Sequence, residues 1–340
     1  MIAGFAGSTT SPAGALERLA AQRTEGFPHL LAARVRTVQR LEEMRARVAP
    51  IALPDDASIV LFGSWGRGEL TEHSDDDWLL LVDGPVREDV HGPVVEALRE
   101  LLGAEDRKPG TQGVFGAAAS AQVLADRIGL DEDTNRSLTR RMLLLLESVP
   151  IAGDAVYTRC WELVLDTYLD DSTKDYRPPR FLLNDLVRYW RTICVDFVGK
   201  QREDEEKWGL RNAKLRTGRK VLFAAGLLPI LLCDRHRRGE MREFLVEQLR
   251  APATDRLAAA FDSYDLADSG GRALDAYDRW IGMVDDEQTR AELARLRRDS
   301  VEGSAAFAQV RRAGNDLEAG LLALLFETPL VVLIREYGVF

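Results

Sequence analysis

The stretch from Ser58 to Gly84, SIVLFGSWGRGELTEHSDDDWLLLVDG, constrains the chain more than any other, because it sets two apolar runs around a glycine-rich turn and an acidic cluster. Ile59, Val60, Leu61 and Phe62 form a short continuous apolar run, the pattern of a buried strand. Trp78 to Val82 repeats it. Between the runs lies Gly63-Ser64-Trp65-Gly66-Arg67-Gly68, and Arg67 to Glu72 is long enough for about one or two helical turns. The chain is therefore expected to leave one strand and return beside it as its neighbour. Ten residues separate Ser64 from Asp75, which puts Asp75, Asp76 and Asp77 at the mouth of the second strand.

Side chains alternate along a strand, so Asp75 and Asp77 are expected on one side, and Asp76 and Trp78 on the other. Two carboxylates held together repel unless a proton or cation sits between them. Hard oxygen ligands suit Mg²⁺, which takes one or two protein carboxylates and completes its shell with water and substrate phosphate. A Gly-Ser turn just ahead lets the backbone approach an anion and offers N–H groups and a hydroxyl to phosphate oxygens. In isolation an SDDD run is a solvated turn capping a sheet edge, and Gly-x-Gly is a weak signal; here strand, turn, spacing and acids stand in order.

Gly63-Ser64, ten residues, then Asp75-x-Asp77 before an apolar strand resembles the signature of the DNA polymerase β-like nucleotidyltransferase superfamily. The fuller string Gly66-Arg67-Gly68-Glu69-Leu70, followed by Ser74-Asp75-Asp76-Asp77, is similar to the uridylyltransferases that modify the PII signalling protein and to bacterial proteins grouped with them. The likeness is sharp over residues 58–84, weaker over 112–155, and general beyond. It implies an α/β catalytic domain in which Asp75 and Asp77 are catalytic and hold Mg²⁺ or Mn²⁺, while a nucleoside triphosphate such as ATP is attacked at its α-phosphorus. Gly63 and Ser64 then take the phosphates. Arg67 either clamps a phosphate or pairs with Glu69 or Asp75; Asp76 is a bystander and His73 a loop residue. The superfamily places a third carboxylate on the next strand, yet Gln112 to Ser120 contains no acid. Asp106, Asp126, Asp131 or Asp133 would have to supply it, unless the acceptor is activated differently or the domain is catalytically weak.

Elsewhere the pattern is helical. Pro28 to Val48 carries Leu30, Leu31, Val35, Val38, Leu41 and Met44 as an apolar stripe, with a solvated arginine face opposite. Pro85 to Leu102 reads as a helix, 111–120 as a third strand, and Asn135 to Ser148 as a helix capped at Asp133-Thr134, with Arg140 and Arg141 as minor candidates for reaching the site. Lys207 to Lys220, KWGLRNAKLRTGRK, has six basic residues in fourteen. Read as one helix continuing into the apolar run that follows, it groups Arg211 with Lys214, and Arg216 with Arg219 and Lys220; Lys214, Arg219 and Lys220 become candidates for the β- and γ-phosphates, or else pair with the acidic loop at 203–206. From Arg235 to Phe340 the chain reads as further amphipathic helices, including 304–313 and 316–336, with a strand conceivable in the last few residues.

The fold class read from this is α+β, a small mixed β-sheet nucleotidyltransferase domain flanked by helices and followed by a larger all-helical domain. Residues 1–50 are read as N-terminal helices, 51–153 as the catalytic domain and 154–340 as a helical substrate or partner domain. A net charge of −10 argues against a surface coated for nonspecific nucleic-acid binding, though not against a local basic groove. Cys160, Cys194 and Cys233 are too dispersed for a disulfide framework or zinc site, which fits a reducing cytoplasm. The N-terminus lacks the basic region of a signal peptide, and no apolar run approaches the ~18 residues of a membrane span. The function read here is Mg²⁺-dependent transfer of a nucleoside monophosphate to an acceptor hydroxyl, on a protein side chain or a tRNA end, with pyrophosphate released. The alternatives are a catalytically weak nucleotide-sensing or partner-binding module, and a cyclic or oligonucleotide synthase. The shortage of His-Asp pairs in a chain with four histidines speaks against a hydrolase that would reverse the modification.

Overall fold

A computed structural model describes residues 11–102, 113–170, 172–203 and 207–338. In chain order its first elements are α1 (Ala15–Ala21), α2 (Pro28–Val48), β1 (Ala57–Phe62), α3 (Ser64–Arg67), β2 (Trp78–Val82), α4 (Glu88–Leu102), β3 (Ala117–Ser120), α5 (Ala121–Asp126), α6 (Asn135–Leu146), β4 (Ser148–Ala152) and α7 (Asp154–Tyr168). Helices follow: α8 (Arg180–Glu203), α9 (Trp208–Arg216), α10 (Gly218–Leu232), α11 (Arg238–Arg250), α12 (Ala253–Ser263), α13 (Ala267–Asp285), α14 (Glu287–Arg295), α15 (Ala305–Phe326) and α16 (Leu330–Leu333). The architecture is α+β, a small mixed sheet followed by many helices. Two compact units divide the chain, one of Ala32–Thr192 with Arg235–Glu243, the other of Met1–Leu31, Ile193–Asp234 and Phe244–Phe340.

The first unit holds the four-stranded sheet, in the order β3-β2-β1-β4. β1 runs antiparallel to β2, with Leu61 opposite Trp78 and Ala57 opposite Val82, and antiparallel to β4, while β2 and β3 are parallel. Every residue of β1 and β2 is buried, because both faces are covered. On one face Ala57, Ile59, Leu61, Trp78, Leu80 and Val82 join Met44 and Val48 of α2 and Val94, Val95 and Leu98 of α4 in a single core. On the other α7 packs against β1, β2 and β4, and the ring of Phe62 lies 5.3 Å from that of Phe115.

A buried ionic network ties the helices of this unit together. The Arg141 guanidinium, fully buried on α6, donates to both Asp133 oxygens at 2.9 and 2.8 Å, to Asp185 at 2.7 Å and to the Tyr168 hydroxyl at 2.7 Å. Arg188 donates to the same Asp133 carboxylate at 2.8 Å. Burial pushes the Asp133 carboxyl up, but the Arg141 and Arg188 guanidinium groups outweigh it and hold it below the usual carboxylate range. Burial, reinforced by Asp185, likewise drives the Tyr168 phenol well up despite Arg141. Arg141 is thus a structural cation, which replaces the site role considered for it, while half-buried Arg140 donates to the Val114 and Gly113 carbonyls.

The second unit is helical. Near its N-terminal segment the Leu16 N–H donates to buried Asp255, the Leu30 N–H to buried Asp278 at 2.8 Å, and Arg23 pairs with Asp275. α13 packs against α15, and α10 against α12, through largely apolar faces. No single helix among the described residues is long and apolar enough to cross a membrane.

Several expectations are corrected. Helix α6 ends at Leu146, short of the expected Ser148, and residues 148–152 form a fourth strand; Pro150 is admissible there because β4 lies at the sheet edge. Along α2, Val35 and Val38 are exposed; the buried stripe runs through Leu30, Ala33, Thr37, Met44 and Val48. The break expected between 313 and 316 is absent, since α15 is continuous from Ala305 to Phe326 with Gly314 inside it against the Arg216 side chain, and the helix expected to reach 336 stops at Phe326. Residues 334–338 are helical, not a strand. Asp106, the start of the expected third strand at 111–112, and the acidic loop at 204–206 lie outside the described residues.

Candidate active site

The site begins where β1 ends. Gly63 adopts φ 68°, ψ −131°, a conformation that side-chain-bearing residues avoid. A Cβ placed there would lie 3.7 Å from Asp77 Oδ2, so the glycine also brings bare backbone against that carboxylate. The helical turn sits at Ser64–Arg67, earlier than the expected 67–72. Arg67 N–H donates to the Gly63 carbonyl at 3.0 Å and Glu69 N–H to that of Ser64 at 2.9 Å. The N–H groups of Ser64, Trp65 and Gly66 precede this ladder and have no acceptor within it. At Gly66 a Cβ would fall 2.0 Å from the Glu147 carbonyl oxygen, so only glycine lets the turn rest on the start of β4.

The acids enter on the strand alternation. Asp76 shares the parity of Trp78 and turns inward: it is 3 % exposed and accepts a hydrogen bond from the Trp65 indole at 3.1 Å. Asp75 and Asp77 share the other parity and are half-buried. The Asp77 carbonyl accepts from Phe62 N–H at 2.9 Å, extending the β1–β2 ladder by one residue and fixing Asp77 beside the turn. The loop before them is pinned too. Thr71 N–H donates to the Ser74 hydroxyl at 3.0 Å, Arg36 donates to the Leu70 carbonyl at 2.9 Å and pairs with Glu72 at 3.2 Å, and Leu70 N–H donates to the Thr37 hydroxyl at 3.0 Å. Arg36, read as part of a solvated face, is an anchor for this loop.

Of the two roles open to Arg67, the structure contains the pairing with Glu69, at 2.7 Å, and adds one with Glu147. Glu69 and Glu147 are both buried, so the guanidinium bridges two carboxylates beneath the turn. No local signal reveals Glu147, which is 80 residues away from Arg67 in sequence. Asp76 was legible from alternation, but its indole partner was not.

Lys214, Arg219 and Lys220 belong to the helical unit. They do not share one helix: Thr217, at φ −122°, ψ −95°, separates α9, which carries Lys214, from α10, which carries the other two. Lys220 pairs with Glu318 at 3.1 Å. Among the proposed sources of a third carboxylate, Asp133 is held by Arg141 and Arg188, and Asp126 accepts from Gln122 at 2.7 Å.

Among the described residues no group of three or more His, Cys, Asp or Glu side chains is placed to hold a metal ion. Asp77 stands beside the turn and Asp75 shares its strand parity, a two-carboxylate donor set in which both groups are half-buried. That set fits Mg²⁺, which binds few protein carboxylates and keeps positions for water and phosphate.

Residues 41–111 match the family model described as nucleotidyltransferase domain. The matched segment runs through β1, the Gly63-Ser64 turn, Asp75, Asp77, β2 and α4, and the match supports the polymerase β-like superfamily and general transfer from a nucleoside triphosphate. No curated protein matches the chain.

Proposed function

We propose that the sheet unit transfers a nucleoside monophosphate from a nucleoside triphosphate to an acceptor hydroxyl and releases pyrophosphate. The observation that carries this reading is the placement of the Asp77 carboxylate against Gly63, which sets an acidic ligand beside a turn whose backbone is bare. In this reading the Ser64, Trp65 and Gly66 N–H groups and the Ser64 hydroxyl donate to phosphate oxygens, and Asp75 and Asp77 hold Mg²⁺. When bound, the ion neutralises charge developing on the phosphoryl oxygens and on the departing pyrophosphate. The acceptor oxygen bonds to the α-phosphorus as the bond to the bridging oxygen breaks. The chain's contribution is to hold the triphosphate in line, which in such transfers supplies much of the rate. Arg67 acts from beneath, keeping the turn on β4 through Glu147. The likeness to the PII-modifying uridylyltransferases favours a protein hydroxyl as acceptor, with an RNA end as the other candidate.

Incubating the protein with α-labelled nucleoside triphosphates, Mg²⁺ and a cell lysate tests the proposal. Wild type should label an acceptor and Asp77→Asn should not; equal labelling by both would overturn it. A second reading, a nucleotide sensor that no longer transfers, draws on the absence of a three-acid group among the described residues. It predicts Mg²⁺-dependent binding of nucleotide with no labelled product.

A further inference from the structure

The middle acid of the SDDD run is the residue the proposed chemistry leaves without a task. A carboxylate taken from water is costly unless hydrogen-bonded, and this one is among the most buried acids of the sheet unit. It shares the strand parity of Trp78, opposite to that of Asp75 and Asp77, and bonds to Trp65, which with Leu70 and Trp78 belongs to the core shared with α2 and α4. It accepts a hydrogen bond from the indole N–H of Trp65, itself 2 % exposed. Trp65 is the central residue of the phosphate turn, between Ser64 and Gly66, and Asp76 is the residue between the two ion-holding candidates. One buried hydrogen bond of 3.1 Å thus joins the middle of one half of the site to the middle of the other.

We infer that Trp65 and Asp76 are a positioning pair that sets the register between the phosphate turn and the Asp75–Asp77 carboxylates, an inference that rests on the reading above. Neither touches substrate. The backbone of Asp76 is continuous with both ligands, so turning its side chain inward onto the indole presents its neighbours outward. Trp65 contributes the middle one of the three backbone N–H groups proposed to meet phosphate, so the same bond fixes where they point. Gly66 on β4 and Arg67 with Glu69 and Glu147 tie the turn to other parts of the sheet unit. If the pair sets register, its loss should weaken the cooperation of ion and nucleotide, beyond any loss of folded protein.

The test is Mg²⁺-dependent binding of a fluorescent, non-hydrolysable nucleoside triphosphate analogue, read as the Mg²⁺ concentration at half-saturation, with the melting temperature measured alongside. Trp65→Phe keeps the ring and removes the donor; Asp76→Ala removes the acceptor; Asp76→Asn retains an oxygen able to accept from the indole. The expected result is a midpoint raised about tenfold in Trp65→Phe and Asp76→Ala, no further rise in the double variant, and a midpoint near wild type in Asp76→Asn. A fall in melting temperature or binding amplitude with an unchanged midpoint would mean a merely structural bond and overturn the inference, as would additive effects in the double variant. Asp77→Asn separates the two claims. If it binds with the wild-type Mg²⁺ midpoint, or if wild type shows no Mg²⁺-dependent binding, the proposed function fails and the pair's role with it. If Asp77→Asn loses Mg²⁺ dependence while the pair variants keep theirs, only the positioning role fails.

Discussion

At the scale of single residues, two glycines and an acidic triplet do most of the shaping, each for a different physical reason. Gly63 is required by its positive φ, and Gly63→Ala is expected to cost about 1–3 kcal/mol of stability. Gly66 is required by space: in Gly66→Ala a methyl would lie 2.0 Å from a backbone oxygen, and a cost of about 3 kcal/mol is expected. Urea denaturation of the two variants checks both, and a neutral Gly66→Ala would mean that the turn does not rest on β4. For chemistry, Asp77→Asn should lower transfer at least ~100-fold, since the ion's hard ligand is lost. Ser64→Ala should lower it only about tenfold, the worth of one hydrogen bond among several. Labelled transfer measured for both variants decides the ranking. The turn and the shared parity of Asp75 and Asp77 were legible in the sequence because their spacing is local and strand alternation is strict. The partners that fix them were not: Trp65 finds Asp76, and Arg67 finds Glu147, only once the sheet has formed.

Among the elements, the two central strands were readable because burial on both faces leaves continuous apolar runs, whereas β4 was not. Its sequence, Ser-Val-Pro-Ile-Ala, is short, carries a proline, and follows the apolar run Met142–Leu146 with only Glu147 between. Edge position is what makes it a strand, and edge position is a property of the sheet. Likewise Val35 and Val38 fit a helical stripe but lie on the exposed side of α2, where Thr37, back-bonded to the Ala33 carbonyl, takes the buried position instead. The Arg141 network joins α6, α7 and α8 with the loop before α6, and its removal should act on all of them. Arg141→Met leaves Asp133 and Asp185 buried without their shared cation, and a loss of about 3–5 kcal/mol is expected. The pH dependence follows from Asp133. Its folded-state carboxyl lies below its ordinary value, so its contribution is present above the unfolded carboxylate range near pH 4 and is lost as pH falls through the folded value. Denaturation midpoints taken between pH 7 and pH 2 should show that acid-side loss in wild type and much less of it in Arg141→Met.

On the scale of the whole molecule, an α+β chain carries one segment, residues 41–111, whose likeness to nucleotidyltransferase domains agrees with its geometry, and a helical unit whose chemistry is not announced by any motif. The basic stretch at 207–220 illustrates the limit of reading by period alone. Helical spacing groups Arg216 with Arg219 and Lys220, but the backbone at Thr217 breaks that register. In the proposed site, within the sheet unit, Asp75 and Asp77 would share a divalent ion with a triphosphate seated on the Gly63-Ser64 turn. Calorimetric titration of each nucleoside triphosphate into the full chain, with and without Mg²⁺, in wild type and in Asp77→Asn, addresses it most directly. The account predicts binding by wild type that requires Mg²⁺ and weakens at least ~100-fold in the variant. Binding that is indifferent to Mg²⁺, or equal in the two proteins, would contradict it.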